Sequence, residues 1–558
     1  MTAEKVKRLI AGGETLTVEF KSDRKGLPDR DLVEAVVALA NTEGGVLLLG
    51  VEDGTGEITG LHPSHVGKGT PAAMIANRTV PSVQVGVEEF DFGHGTRVFA
   101  IFIPECRGVV GTVDGYFAKR RLKLDGSPES VPMTPFEIQS RASQFQLIDP
   151  SAQAMAAVPL SRISPLQRER VRASIRTSNN SDKALLELSD SDFDRALGLV
   201  KDFGGTEYLT LSGVLILTDE QTIRDFVPTY EVAFQVLKDG LEVGVNDYMR
   251  KPLVEAFDCI VERFSARIEE EEQLVAGRRR AAPNYDISGF REALVNALVH
   301  RDYAVLGAVI VKIDHYGLAF YNPGGFIEGV NLGNLLSTAP KSRNTLLADI
   351  AKRIGLAERT GRGVDKIFSG VLRYGRHRPE YEKSDGSGVT LTILSEKADF
   401  RFLNFVLEKE EALKRALTVD ELLILSELRF QGKLSVEKGV DLTQRKRSVV
   451  QEVLSGLLAT GDVVEMEGVE GLFYELSPAT VRAFTCGKEP SRMNGESYEK
   501  YKAMVRAYIK TNGSAKRKNV AECCRINLRQ AGYIIEKMLK DGEIAQIGNR
   551  RWAIYKLA

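Results

Sequence analysis

Apolar runs of strand length alternate with apolar positions at helical spacing from one end of this chain to the other. That alternation confines it to architectures mixing helices and sheets. TLTVEFK, GGVLLLGVEDGTGEITGL and RVFAIFIPE read as strands, and DLVEAVVALANTE carries its apolar residues at helical spacing. LTLSGVLILT and EVAFQVL read as further strands, and VEAFDCIVERFSARIEEEE as a long amphipathic helix. At 558 residues the chain exceeds what one hydrophobic core serves, so the expected fold class is α+β multidomain. The expected segments are 1–148, an α/β linker domain at 149–280, a second α+β unit at 281–398, a helical linker with a first small domain at 399–487, and a second small domain at 497–558.

Charge is balanced, 75 Lys and Arg against 76 Asp and Glu, so any nucleic-acid surface must come from local segregation of charge. The five cysteines are scattered, and the one close pair is adjacent rather than spaced CxxC, which argues against zinc and against a disulfide framework. The N-terminus has no apolar run with a cleavage site, and no stretch approaches the ~20 apolar residues of a membrane span. A cytoplasmic location with no membrane partner is expected.

The most specific constellation is Glu292-Ala-Leu-Val-Asn296-Ala-Leu-Val-His300-Arg301-Asp302-Tyr303, followed by Asn322-Pro-Gly324-Gly325 and Glu358-Arg-Thr-Gly361-Arg-Gly363. Glu292 and Asn296 stand four apart, on one helix face, where they can hold a water and a Mg²⁺ ion. Gly361 and Gly363, just before the helix-spaced GVDKIF, allow backbone N–H groups to approach phosphate. These residues resemble the GHKL-type ATPase domain in the divergent form of prokaryotic predicted transcriptional regulators, whose ExxxNAxxHRDY motif this chain carries whole. The resemblance implies a GHKL-like α/β sandwich that binds ATP. Glu292 would act on water, Asn296 would bind Mg²⁺, and Arg301, Asn322, Gly324, Gly361 and Gly363 would belong to the nucleotide site. The acidic residue that usually reads adenine is not evident, since Asn322 and Pro323 occupy that stretch.

Near the N-terminus, Glu14, Glu19 and Asp53 sit at strand ends, where three carboxylates could converge on Mg²⁺ or Mn²⁺ for phosphodiester cleavage, with Lys21 offsetting phosphate charge. GETLTVEFK and ALANTEGGVLLLGVEDGTGEITGL resemble the AlbA-type domain of the Schlafen family, whose nuclease triad they match in order and spacing. Glu14, Glu19 and Asp53 are the catalytic and metal-binding residues this implies. Binding of nucleic acid without cleavage is the alternative for the same domain.

The last two segments each read helix, short helix, helix and two short strands. In the first, Gln444, Arg445, Lys446 and Arg447 are expected in the first turn of the third helix, where a helix-turn-helix protein meets base edges and phosphates. In the second, Lys516, Arg517, Lys518, Arg525, Arg529, Arg550 and Arg551 are candidate phosphate contacts. Both blocks resemble winged helix-turn-helix domains.

Along most of its length the chain resembles a family of prokaryotic ATP-binding predicted transcriptional regulators. The resemblance implies a nucleotide-responsive, DNA-binding homodimer that uses ATP with Mg²⁺ or Mn²⁺. Two other functions stand beside it: a Schlafen-like metal-dependent endonuclease acting on tRNA, other RNA or single-stranded DNA in anti-phage defence, and a non-catalytic assembly scaffold.

Overall fold

The structure is a computed structural model. It describes residues 2–66, 71–93, 95–238, 243–357, 363–468, 471–484, 495–524, 526, 528–548 and 553–558. The protein is a multidomain α+β chain that divides into two compact units, Met1–Pro150 and Ser151–Ala558.

The first unit opens with α1 (Ala3–Gly12), whose N-cap Thr2 accepts from the main chain of Lys5. Strand β1 (Val18–Lys21) leads to α2 (Asp29–Ala40), which starts directly after Pro28 with Asp29 and Asp31 in its first turn, where the helix dipole favours acid. α2 crosses to β2 (Gly45–Leu49), which pairs parallel with β1 from Val18 opposite Val46 to Lys21 opposite Leu49. β3 (Gly86–Asp91) and β4 (Arg97–Ile103) complete a sheet ordered β1-β2-β4-β3. Gly45, at φ 136°, lets this crossover close. A Cβ there would overlap the Thr17 carbonyl, whose oxygen accepts from the Val46 N–H at 2.8 Å. The parallel register brings the end of β1, with Glu19 and Lys21, beside the segment that follows β2.

The second unit is built on a five-stranded sheet of β5 (Val232–Leu237), β6 (Val243–Met249), β7 (Val309–Ile313), β8 (Gly317–Pro323) and β9 (Gly388–Leu394), in the order β6-β5-β7-β8-β9. β5 and β7 are parallel and every other pair is antiparallel. The boundary expected at residue 280 therefore falls between strands of one sheet, and a single apolar core runs from Val158 to Ile393. The run LSGVLIL, expected as strand, is a buried helix, Leu211–Leu217, because Thr210 caps it by accepting from Gly213. A short, continuous apolar run fits a buried helix and a buried strand equally well.

Against the sheet lie α3 (Leu253–Ser265), α4 (Ile287–Val299), α5 (Thr345–Arg353) and α6 (Gly363–Leu372). Asp286 caps α4, accepting from Gly289 at 2.7 Å. A small residue lets α6 approach the start of α4 closely: a Cβ on Gly370 would meet the Asp286 Oδ1 at 2.8 Å.

After α7 (Phe400–Leu413), the first C-terminal block comprises α8 (Val419–Gln431), α9 (Val436–Thr443), α10 (Arg447–Ala459) and a hairpin of β10 (Val463–Gly468) and β11 (Gly471–Leu476). The second repeats the order with α11 (Gly495–Asn512), α12 (Arg517–Cys523), α13 (Leu528–Lys540), β12 (Ile544–Ile547) and β13 (Ile554–Leu557). Residues 444–446, expected inside the third helix of the first block, form the connector between α9 and α10 instead. Gln444 caps α9 in the left-handed region at φ 57°, and Lys446 is the N-cap of α10. The core of this block includes Leu336, Phe368 and Leu372, so it is continuous with the loop after β8 and with α6, which lie between two strands of the central sheet.

Candidate functional site

Helix α4 presents Glu292, Asn296 and His300 one turn apart, and all three line a cavity of about 970 Å³. Asn322, Gly325 and Phe326 at the end of β8, Lys341, Lys352 of α5, Asp365 of α6 and Tyr381 form other parts of its wall. Glu292 is 7% exposed, and a Cβ on Gly363 would overlap its Oε1. Gly363 thus lets the first turn of α6 rest on the carboxylate. Asn322 is 6% exposed, and its Nδ2 is a buried donor without a hydrogen-bond partner among the described residues. An orphaned donor in a cavity wall costs about 1–3 kcal/mol unless something that enters the cavity accepts from it.

Two titrating groups of the wall are held neutral. Burial, with the charges of Arg343 and Lys352, pushes the His300 imidazole down to about 4. Burial and the Glu292 carboxylate both push the Tyr381 phenol up, so it keeps its proton.

Arg301, Asp302 and Tyr303, the end of the same constellation, are not part of the cavity wall. Arg301, expected at the nucleotide, is fully buried, and its guanidinium donates to the main-chain carbonyls of Asp302, Val305, Gly307 and Thr229. Asp302 is buried in an ion pair with Arg343 at 2.5 Å, and Tyr303 donates to the Leu298 carbonyl. Gly324, at φ 93°, is a packing position, because a Cβ there would press on Asp302. Gly361 lies outside the described residues. Lys341 and Tyr381 reach the wall from segments with no local motif, and Asp365 stands in the helix-spaced GVDKIF, where only the glycines before it carried a signal. Asp420 and Arg445 also line it, from the first C-terminal block.

In the first unit the candidate carboxylates gather around cations. Lys21 Nζ lies 2.9 Å from Glu19 and 3.4 Å from Asp53. Burial works against the Lys21 charge, but Glu19, Asp53 and Glu14 outweigh it and raise the ammonium above its ordinary value. Glu19 is 3% exposed and also pairs with buried Arg120 at 2.5 Å, while Glu14 accepts from the Phe20 N–H at 2.8 Å. Among the described residues no group of three or more His, Cys, Asp and Glu side chains is arranged to hold a metal ion. Of the expected Glu14–Glu19–Asp53 set, Glu19 and Asp53 are engaged in ion pairs with Lys21 and Arg120, and Glu14 with the main chain of Phe20.

Of the C-terminal candidates, Gln444 is engaged within the molecule. Its Nε2 donates to the Leu332 carbonyl at 2.7 Å, and its Oε1 accepts from the Leu336 N–H at 2.8 Å. Arg445 pairs with Asp420 at 3.3 Å. Lys446 is exposed, and exposed Arg447 pairs with Glu437. Lys516, Arg517 and Lys518 are exposed, although Arg517 Nε donates to the Leu528 carbonyl at 2.8 Å and Lys518 lies 3.6 Å from Glu522. Arg525, Arg550, Arg551 and the side chain of Arg529 lie outside the described residues.

Residues 14–124 match the family described as "Schlafen, AlbA_2", and residues 309–393 match the family described as "Putative ATP-dependent DNA helicase recG C-terminal". The second match covers β7, β8 and β9 and begins after α4, so Glu292 and Asn296 lie just ahead of it. The crystal structure of the DIP2311 protein from Corynebacterium diphtheriae is similar in fold: it is 20% identical, with 86% of this chain and 97% of that one covered and a TM-score of 0.50. None of the curated proteins compared matches the chain. Among the described residues no helix is long and apolar enough to cross a membrane.

Proposed function

We propose that this protein is a nucleotide-responsive, DNA-binding switch of the transcription-regulator kind, with ATP held in the cavity along α4. The observation that carries this reading is the cavity itself. Its size suits a nucleotide, Glu292 and Asn296 face it from one helix, and the buried Asn322 Nδ2 lacks an acceptor. The match to an ATPase-like family over the adjoining strands supports the same reading. Mg²⁺ takes few protein ligands and completes its shell with water and phosphate oxygens, so the oxygens of Asn296 and Glu292 fit it. Bound there, the ion would offset phosphate charge, while Glu292, backed by Gly363, would orient water.

The two C-terminal blocks are read as winged helices, with a boundary near 487–497. Exposed Lys446, Lys516 and Lys518 are the side chains best placed to neutralise phosphates, in a homodimer that would match a two-fold site. The Schlafen AlbA_2 domain would add a nucleic-acid-binding surface. Cleavage by that domain gains no support from the geometry, because the Glu19 carboxylate faces Lys21 and Arg120.

The test is DNA affinity by fluorescence anisotropy at fixed salt, with and without ATP and Mg²⁺. A shift of at least threefold is expected, abolished by Asn296→Ala. The reading fails if ATP does not bind, or if it binds and leaves DNA affinity unchanged.

A further inference from the structure

One wall of the cavity comes from beyond the central sheet: Thr418, Val419 and Asp420 at the start of α8, Arg445 in the α9–α10 connector, and Val449 in α10. This wall is fastened in place. Gln444 bridges the main chain of Leu332 and Leu336, in the loop that also lines the cavity, and Leu336 packs in the core of the block. The connector that carries Arg445 is thereby held at the cavity edge.

Arg445 is poorly satisfied where it stands. Its Nε lies 3.3 Å from both Asp420 oxygens, one donor shared between two acceptors rather than the parallel pair that gives a strong guanidinium–carboxylate contact. Among the described residues neither Nη makes a hydrogen bond, and the side chain is 27% exposed. Asp420 therefore holds it through a single, long contact and leaves both Nη groups free to turn into the cavity. Glu292, Asp349 and Asp365 also line the space, so a polyphosphate entering it needs cations on the wall.

We propose that Arg445 is a ligand for the polyphosphate of the nucleotide in this cavity, leaving Asp420 to take phosphate oxygens on its free Nη donors. Arg445 then reads phosphate number, and it does so from a block expected to contact DNA. This assignment rests on the nucleotide reading above and adds the residue that distinguishes a triphosphate from a monophosphate.

Calorimetric titration of the full chain with Mg²⁺ and a nonhydrolysable ATP analogue, and separately with AMP, tests it. Arg445→Gln should weaken the triphosphate at least tenfold and AMP less than twofold. Asp420→Asn, which releases Arg445, should tighten the triphosphate three- to tenfold. The assignment is overturned if Arg445→Gln binds the triphosphate like the unmodified chain, if both ligands weaken equally, or if Asp420→Asn weakens binding as Arg445→Gln does, since a merely structural pair would behave that way. If the unmodified chain binds neither ligand, the nucleotide reading falls as well. If it binds both and Arg445→Gln changes nothing, only the role of Arg445 falls.

Discussion

His300 resists protonation in the folded chain because it is packed beside Arg343 and Lys352 and shielded from water. Its folded value of about 4 lies below the ordinary 6.5, so between those limits the unfolded chain takes up a proton that the folded chain refuses. Stability from this residue is complete above pH 6.5 and is lost as the pH falls toward 4, by about 2 kcal/mol at pH 5. His300→Gln, uncharged throughout, should show a shallower fall in urea midpoint from pH 7.5 to pH 5 than the unmodified chain. Equal slopes would mean that His300 titrates normally. The neighbouring residues show what a motif conceals. Glu292, Asn296 and His300 reach the cavity as their spacing indicates, but Arg301, Asp302 and Tyr303 serve the core. Four main-chain carbonyls from residues 229–307 fix Arg301, and no local pattern encodes their convergence.

At the scale of elements, the α4–α6 contact joins packing to chemistry. Gly363→Ala would drive a methyl into the Glu292 carboxylate, costing about 1–3 kcal/mol as overpacking does and displacing the group that faces the cavity. Thermal denaturation should show the loss, and the double variant Glu292→Ala/Gly363→Ala should recover most of it, because the second change vacates the overlap. A double variant as unstable as the sum of the singles would place the strain elsewhere. Helical spacing made α2, α4, α8 and α13 legible in the sequence, since their apolar faces meet a core. The connector at 444–446 was not legible: the left-handed Gln444 is fixed by the distant Leu332 and Leu336, and a basic, helix-compatible run gives no sign of that attachment. The carboxylates at the end of β1 show the same limit. Their spacing was readable, and so was Lys21 beside Glu19, but the second cation on that carboxylate, Arg120, stands about a hundred residues away.

Across the whole molecule, the two units differ in what a truncation removes. A fragment of residues 151–558 retains the five-stranded sheet, whereas one of residues 281–558 loses β5 and β6 and exposes the edge of β7. The first should give a cooperative unfolding transition by circular dichroism. The second should not, because Val232, Ala233 and Phe234, all fully buried, would be missing from the core. Cooperative unfolding of the shorter fragment would show that the sheet closes without those strands. The pairing of β5 with β7 also sets a schedule for synthesis. About 160 residues must leave the ribosome between Val232 and Leu394 before every strand of the sheet is available, on the order of 8 to 30 s at roughly 5–20 residues per second. Until β7 emerges, β5 is paired with β6 on one side only, so its other edge stays open to strands of other chains, and slower translation through residues 250–308 lengthens that exposure.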